Sequence, residues 1–182
     1  PVPLKRPISY PKYVIIFFFS IIIISFQVAF SQTAEIDSLK KALANPHNDE
    51  LATLFELCKH NSSMNADTAL VYAKRALQIS TARHNFTGRL TAEFYIAECD
   101  NMKGRADSCL VLCNSALREI QSTDKSYPVY RDLIWNKIVS LTKLRKIKES
   151  INECYNLLSS AERNNDIPGR VIAHNCLGLN NN

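Results

Sequence analysis

Glycine is scarce in this 182-residue chain, at four residues, and tryptophan occurs once. There is no Gly-rich phosphate loop, no His-Glu-x2-His and no Gly-x-Ser-x-Gly, so the sequence signatures of phosphate cradling, zincin hydrolysis and a serine nucleophile elbow are all missing. Outside one apolar run near the N-terminus, no stretch alternates apolar and polar residues long enough to predict a strand. Charge of one sign is also short. The formal net charge is +5, and Lys5, Arg6 and Lys12 supply three of those charges. The remaining +2, with no Lys/Arg block on a helix face, gives nucleic acid no electrostatic footprint in this region. No residue pattern implies a cofactor.

What is present begins with a targeting signal. Lys5, Arg6 and Lys12 precede the run Val14 to Phe26, and Ala29-Phe30-Ser31 follows it. A basic region, an apolar core and small residues at the two peptidase-read positions predict a signal peptide over 1–31, cleaved after Ser31. The competing reading is an uncleaved anchor, because Val14 to Phe30 approaches the roughly 17-residue minimum for crossing a bilayer. Gln27 interrupts the run and favours cleavage. Both readings imply export, to the periplasm or cell envelope, with secretion as the alternative. Membrane contact is then expected only through this segment, if uncut, or through a helix beyond residue 182.

After the signal, the chain repeats itself. Ala69-x3-Ala73-x2-Ala76-Leu77 recurs as Cys109-x3-Cys113-x2-Ala116-Leu117 and as Ser150-x3-Cys154-x2-Leu157-Leu158, a period of 40 to 41 residues. A second series twelve residues ahead of each, Leu57, Ala97, Ile138 and Gly178, steps by 40, 41 and 40. Two series with one period indicate a repeat array, whose units bury their apolar faces only against neighbours. The expected organisation is a leader helix at 32–46, built on Ile36, Leu39, Ala42 and Leu43, then repeats at about 47–86, 87–126 and 127–167. A fourth at 168–182 is cut short, which predicts a fragment of a longer protein.

Each repeat reads as two helices and a turn. The expected pairs are Asp49–Asn61 with Asp67–Arg83, Leu90–Lys103 with Ala106–Gln121, and Pro128–Leu144 with Ile147–Arg163. Asp67 is the expected cap of its helix, and Gly104 ends the one before it in the left-handed conformation that glycine enters without steric cost. Polar linkers are expected at Asn61–Ala66, Ser122–Tyr127 and Asn164–Gly169. Cys109, Cys113 and Ala116 fall at i, i+4 and i+7, a stripe of small residues that lets two helix backbones approach closely.

These features resemble the tetratricopeptide repeat over about Asp49 to Leu179. The Leu-Gly pair of that family's first helix is matched by Ile96-Ala97 and Leu177-Gly178, its turn glycine by Gly104, and its second-helix signature by the three small-residue segments. The chain departs from the family in three places. Its period exceeds the usual 34, Lys137-Ile138 replaces the Leu-Gly pair, and Arg145 stands at a turn-glycine position. Six or seven extra residues amount to about two helical turns, as in long-helix variants of exported bacterial proteins. The resemblance implies an all-α, right-handed solenoid of stacked antiparallel hairpins, with the HEAT type of solenoid as the competing architecture.

It also implies that the first helix of each hairpin lines a concave face. By register that face carries Leu51, Leu54 and Cys58 in the first repeat, Phe94, Glu98 and Asn101 in the second, and Trp135, Val139 and Thr142 in the third; Leu54, Phe94, Glu98, Asn101, Trp135 and Thr142 are the candidate contacts for a protein or peptide partner. Trp135, the single tryptophan, is the natural anchor, since exposed aromatics are the usual anchors of peptide recognition. Its competing reading is packing between helices. The basic and asparagine residues with which some members clamp a peptide carboxylate are not reproduced here.

The six cysteines, at 58, 99, 109, 113, 154 and 176, read as small buried apolar residues of the hairpin seam; a cystine between adjacent repeats is the alternative. Cys58-x-His60 and His174-x-Cys176 have the wrong spacing for the usual zinc patterns. The functional expectation is a partner-binding scaffold without chemistry of its own. Two other readings compete: the sensory region of a two-component histidine kinase or transcriptional regulator, and a structural oligomerisation module.

Overall fold

The computed structural model describes residues 34–45, 49–121 and 128–180. The signal segment 1–31 and the linker 122–127 lie outside them. Among the described residues the chain is all-α, with no strand. Helix α1 spans 34–43. It is followed by α2 (Glu50–Ser62), α3 (Ala66–Ala82), α4 (Phe86–Met102), α5 (Ala106–Gln121), α6 (Pro128–Lys143), α7 (Ile147–Arg163) and α8 (Ile167–Asn180).

Each helix from α2 onward packs on its neighbours in sequence. The even-numbered helices α2, α4, α6 and α8 also pack on one another in chain order, whereas α3, α5 and α7 make no such contacts among themselves. The small-residue series explains the close pairing. Ala69, Ala73, Ala76, Cys109, Cys113, Ala116 and Cys154 are fully buried, and so are Leu57 and Ala97 of the companion series. Side chains this short let backbones approach, while Leu90, Ile120, Leu133 and Leu157 fill the space between them. Leu43 of α1 packs on a second cluster made by Leu51, Leu54, Ala76 and Ala92.

The turns share one geometry. In four of them the second residue past the helix has a positive φ: His84 (51°), Gly104 (74°), Arg145 (61°) and Asn165 (51°). In each, that residue's amide bonds back three residues and the next amide bonds back five, as in Asn85 N to Ser80 O at 2.8 Å and Lys146 N to Leu141 O at 2.9 Å. This is the Schellman closure, which satisfies carbonyls that the helix end leaves open. Arg145 thus takes the conformation of the turn glycine that it replaces. In two of the four a side chain then caps the next helix: Asn85 accepts from Gly88 N at 2.8 Å, and Asp166 accepts from Gly169 N at 3.1 Å; Lys146, ahead of α7, makes no such bond.

Three boundaries differ from expectation. Asn65, not Asp67, caps α3 by accepting from Thr68 N at 3.0 Å, and Asp67 instead pairs with Lys103 of α4. Helix α4 starts at Phe86 rather than Leu90 because Asn85 provides an earlier cap. Pro168 and Gly169 lie inside α8 rather than in a linker, since proline is tolerated in a first helical turn.

The Lys137 departure has a structural reason. Lys137 Nζ meets Glu153 Oε1 of α7 at 2.7 Å, with both side chains less than a fifth exposed. One period earlier these two positions are held by Ile96 and Leu112. Two apolar residues, one on α4 and one on α5, thus correspond to an ion pair between α6 and α7.

Candidate partner-binding face

The even-numbered helices present one continuous row, and the six candidate residues sit on it unequally. Leu54 is fully buried beside Leu51, Ala76 and Ala92, so it is core and not a contact. Helix periodicity places it on the right turn, but α4 folds across that turn and closes it. Asn101 is also buried, at 4% exposure. Its Nδ2 donates to Asn136 O at 3.0 Å and its Oδ1 accepts from Ser140 Oγ at 2.9 Å. Every polar atom of that amide is used to join α4 to α6, because an amide buried without partners would cost the desolvation of each group.

Thr142 donates to Ile138 O at 3.0 Å and lies 2.9 Å from Ser150 Oγ of α7. Its hydroxyl therefore serves the α6–α7 contact. Thr142 is nonetheless exposed, and Phe94, Glu98 and Trp135 are accessible with it. Phe94 is half-buried on the main core cluster and tilts against Tyr95, with ring centroids 4.8 Å apart. Tyr95 in turn stacks on Phe55 of α2 at 6.1 Å. Trp135 is 38% exposed.

Glu98 is half-buried and hydrogen-bonds with Ser62 of α2. Burial lifts its carboxyl above the ordinary 4.5, and the nearby Asp132 charge lifts it further, against the lowering effect of Ser62. Burial also pushes the Tyr95 phenol far up, with smaller contributions from Cys58, Glu98, Glu56 and Asp132. The face thus combines the rings of Phe55, Phe94, Tyr95 and Trp135 with the carboxyl of Glu98 and the nearby charges of Glu56 and Asp132.

Sequence reasoning missed Phe55, Tyr95 and Asn136. They hold one register position at steps of 40 and 41, so the arithmetic that found Leu57, Ala97 and Ile138 was sufficient to find them. Asn136 Nδ2 donates to Phe94 O at 3.4 Å while its own carbonyl accepts from Asn101. It therefore ties α6 to α4 at two points, Phe94 and Asn101.

All six cysteines are buried thiols outside any disulfide. Burial raises the Cys58 and Cys176 thiols to about 12 and Cys99 to about 11, which keeps them protonated and inert near neutral pH. Cys109 and Cys113 lie 3.8 Å apart, sulfur to sulfur, on α5. Among the described residues, no three His, Cys, Asp or Glu side chains converge as a metal site, and no helix is long and apolar enough to cross a membrane.

No protein-family model, curated protein or solved structure matches this chain.

Proposed function

We propose that this chain is a scaffold of the tetratricopeptide type that binds a protein or peptide along the row of even-numbered helices. In this reading the hairpins α2–α3, α4–α5 and α6–α7 stack as a right-handed solenoid, and α8 opens a fourth. The supporting observation is that α2, α4, α6 and α8 pack in chain order while α3, α5 and α7 stay apart. Stacking of that kind produces an extended surface on one layer. Half-exposed Phe94, Tyr95 and Trp135 give that surface aromatic anchors with little conformational entropy to lose. The protein is exported in this reading, and it binds rather than catalyses.

The test uses the single tryptophan as a reporter. Peptides selected from a random display library against the full chain should shift Trp135 emission saturably. Trp135→Ala should weaken them by tenfold or more, about 1.4 kcal/mol, with the helical circular dichroism unchanged. Binders that leave the emission untouched and ignore the substitution would remove the even-numbered row as the binding face.

A further inference from the structure

A cleft of about 530 Å³ opens between α5 and α7, floored by α6. None of the six candidate residues lines it, so it is separate from the partner-binding face. It exists because α5 and α7 do not pack on each other, which leaves a gap between them above α6. Its volume lies within the range of about 300–1,000 Å³ common to small-molecule sites. Its chemistry differs from the usual apolar pocket.

The base is buried: Tyr130 and Ile134 of α6 are 6% and 3% exposed, and Leu117 at the foot of α5 is 5% exposed. The walls are polar and basic. Arg118 lines it from α5 and Arg163 from α7, both exposed to solvent, so each wall contributes one guanidinium. Each is held along its helix by its Nε, which donates to the carbonyl four residues back, Asn114 O and Ser159 O, at 3.2 Å in both cases. Neither forms an ion pair with any carboxylate of the described residues. That leaves the terminal N–H groups of both forks for a ligand.

The one carboxylate in the cleft is already engaged. Glu153 takes Lys137 at 2.7 Å and accepts from Asn156 at 3.4 Å. The lining therefore carries three cations against one neutralised anion, a net charge of +2. A planar guanidinium matches the paired oxygens of a carboxylate or phosphate bidentately. Two such forks across a cleft call for more than one oxyanion, or for one rich in oxygens. We propose that the α5–α7 cleft binds a small polyanion through phosphate or carboxylate groups held between Arg118 and Arg163. Asn114, Asn156 and Ser159 supply neutral donors and acceptors around it.

Calorimetry on the full chain tests this, with pyrophosphate and citrate as separate probes against sodium chloride of matched ionic strength. The expected result is one saturable site for at least one probe, which also tells phosphate from carboxylate, together with a raised melting temperature. Arg118→Gln and Arg163→Gln should each weaken binding about tenfold, as expected for loss of a charge-assisted hydrogen-bonded fork. The doubly Lys-substituted variant, which keeps the charge and loses the fork, should also bind more weakly than wild type. Lys74→Gln, an exposed change on α3, removes one positive charge elsewhere and should leave binding unchanged. Two results overturn the proposal: no saturable binding of either probe, or equal weakening by Lys74→Gln and Arg118→Gln, which would mean non-specific charge attraction.

Discussion

Arg145 and Gly104 occupy the same turn position one period apart, both with positive φ, at 61° and 74°. A residue with a Cβ in the left-handed region costs about 1–2 kcal/mol, whereas glycine there costs only the extra freedom of its unfolded chain, about 0.5–1 kcal/mol. Exchanging the residue types should therefore move stability in opposite directions. Arg145→Gly should stabilise by about 0.5–1 kcal/mol and Gly104→Ala should destabilise by a similar amount, the differences of those ranges. Packing does not confuse the comparison. A Cβ added at Gly104 meets nothing within 4 Å, and the Arg145 side chain is exposed. At about 2–4 °C per kcal/mol for a chain of this size, the expected shifts are about 1–4 °C of opposite sign. Thermal and urea unfolding followed at 222 nm would read them. If both variants are destabilised, or Gly104→Ala is neutral, left-handed strain is not what distinguishes these turns.

Two further outcomes follow from buried charge. Lys137→Ile and Glu153→Leu should each destabilise by about 1–2 kcal/mol, because each strands a half-buried charge, while the double variant recovers most of the loss by restoring the apolar residue types found at Ile96 and Leu112; a double-mutant cycle with additive losses in urea melts would count against a coupled pair. The folded-state pKa of Glu98 is raised by burial above its unfolded value, so folding binds a proton there and stability falls as pH rises from the ordinary glutamate range through the raised value. Glu98→Gln should remove that fall, giving a flatter dependence of melting temperature from about pH 4 to about pH 7, and parallel curves for the two proteins would contradict it.

The helices were largely legible in the sequence, because small and apolar residues recur at helical spacing and most turns carry a capping residue. Ile147–Arg163 and Ala106–Gln121 are found where the pattern places them. The turns were less legible. Gly104 announces its left-handed φ, but His84 and Asn165 adopt the same conformation with no glycine to mark it; the 20-residue steps from His84 to Gly104 and from Arg145 to Asn165 were the available signal. On the candidate face, periodicity assigns a side of one helix without saying which part of it the next even-numbered helix covers. Leu54 and Asn101 are lost to burial for that reason, while Trp135 stays accessible. The α5–α7 cleft was not legible at all. Arg118 and Arg163 are 45 residues apart and hold different positions in the repeat, so only the spacing of two helices that do not pack on each other brings them to one cavity.

The Lys137–Glu153 pair also bears on how such a chain assembles correctly. Similar hairpins invite exchange, and misassembly between like units is a characteristic failure of repeat proteins. If α6 docked on α5 as α4 does, Lys137 would meet Leu112, and if α4 docked on α7, Glu153 would meet Ile96. Each wrong match buries a charge against a hydrocarbon side chain. One ion pair in place of two apolar residues thus serves as a key that fits a single lock, so that helices alike in shape are told apart by charge.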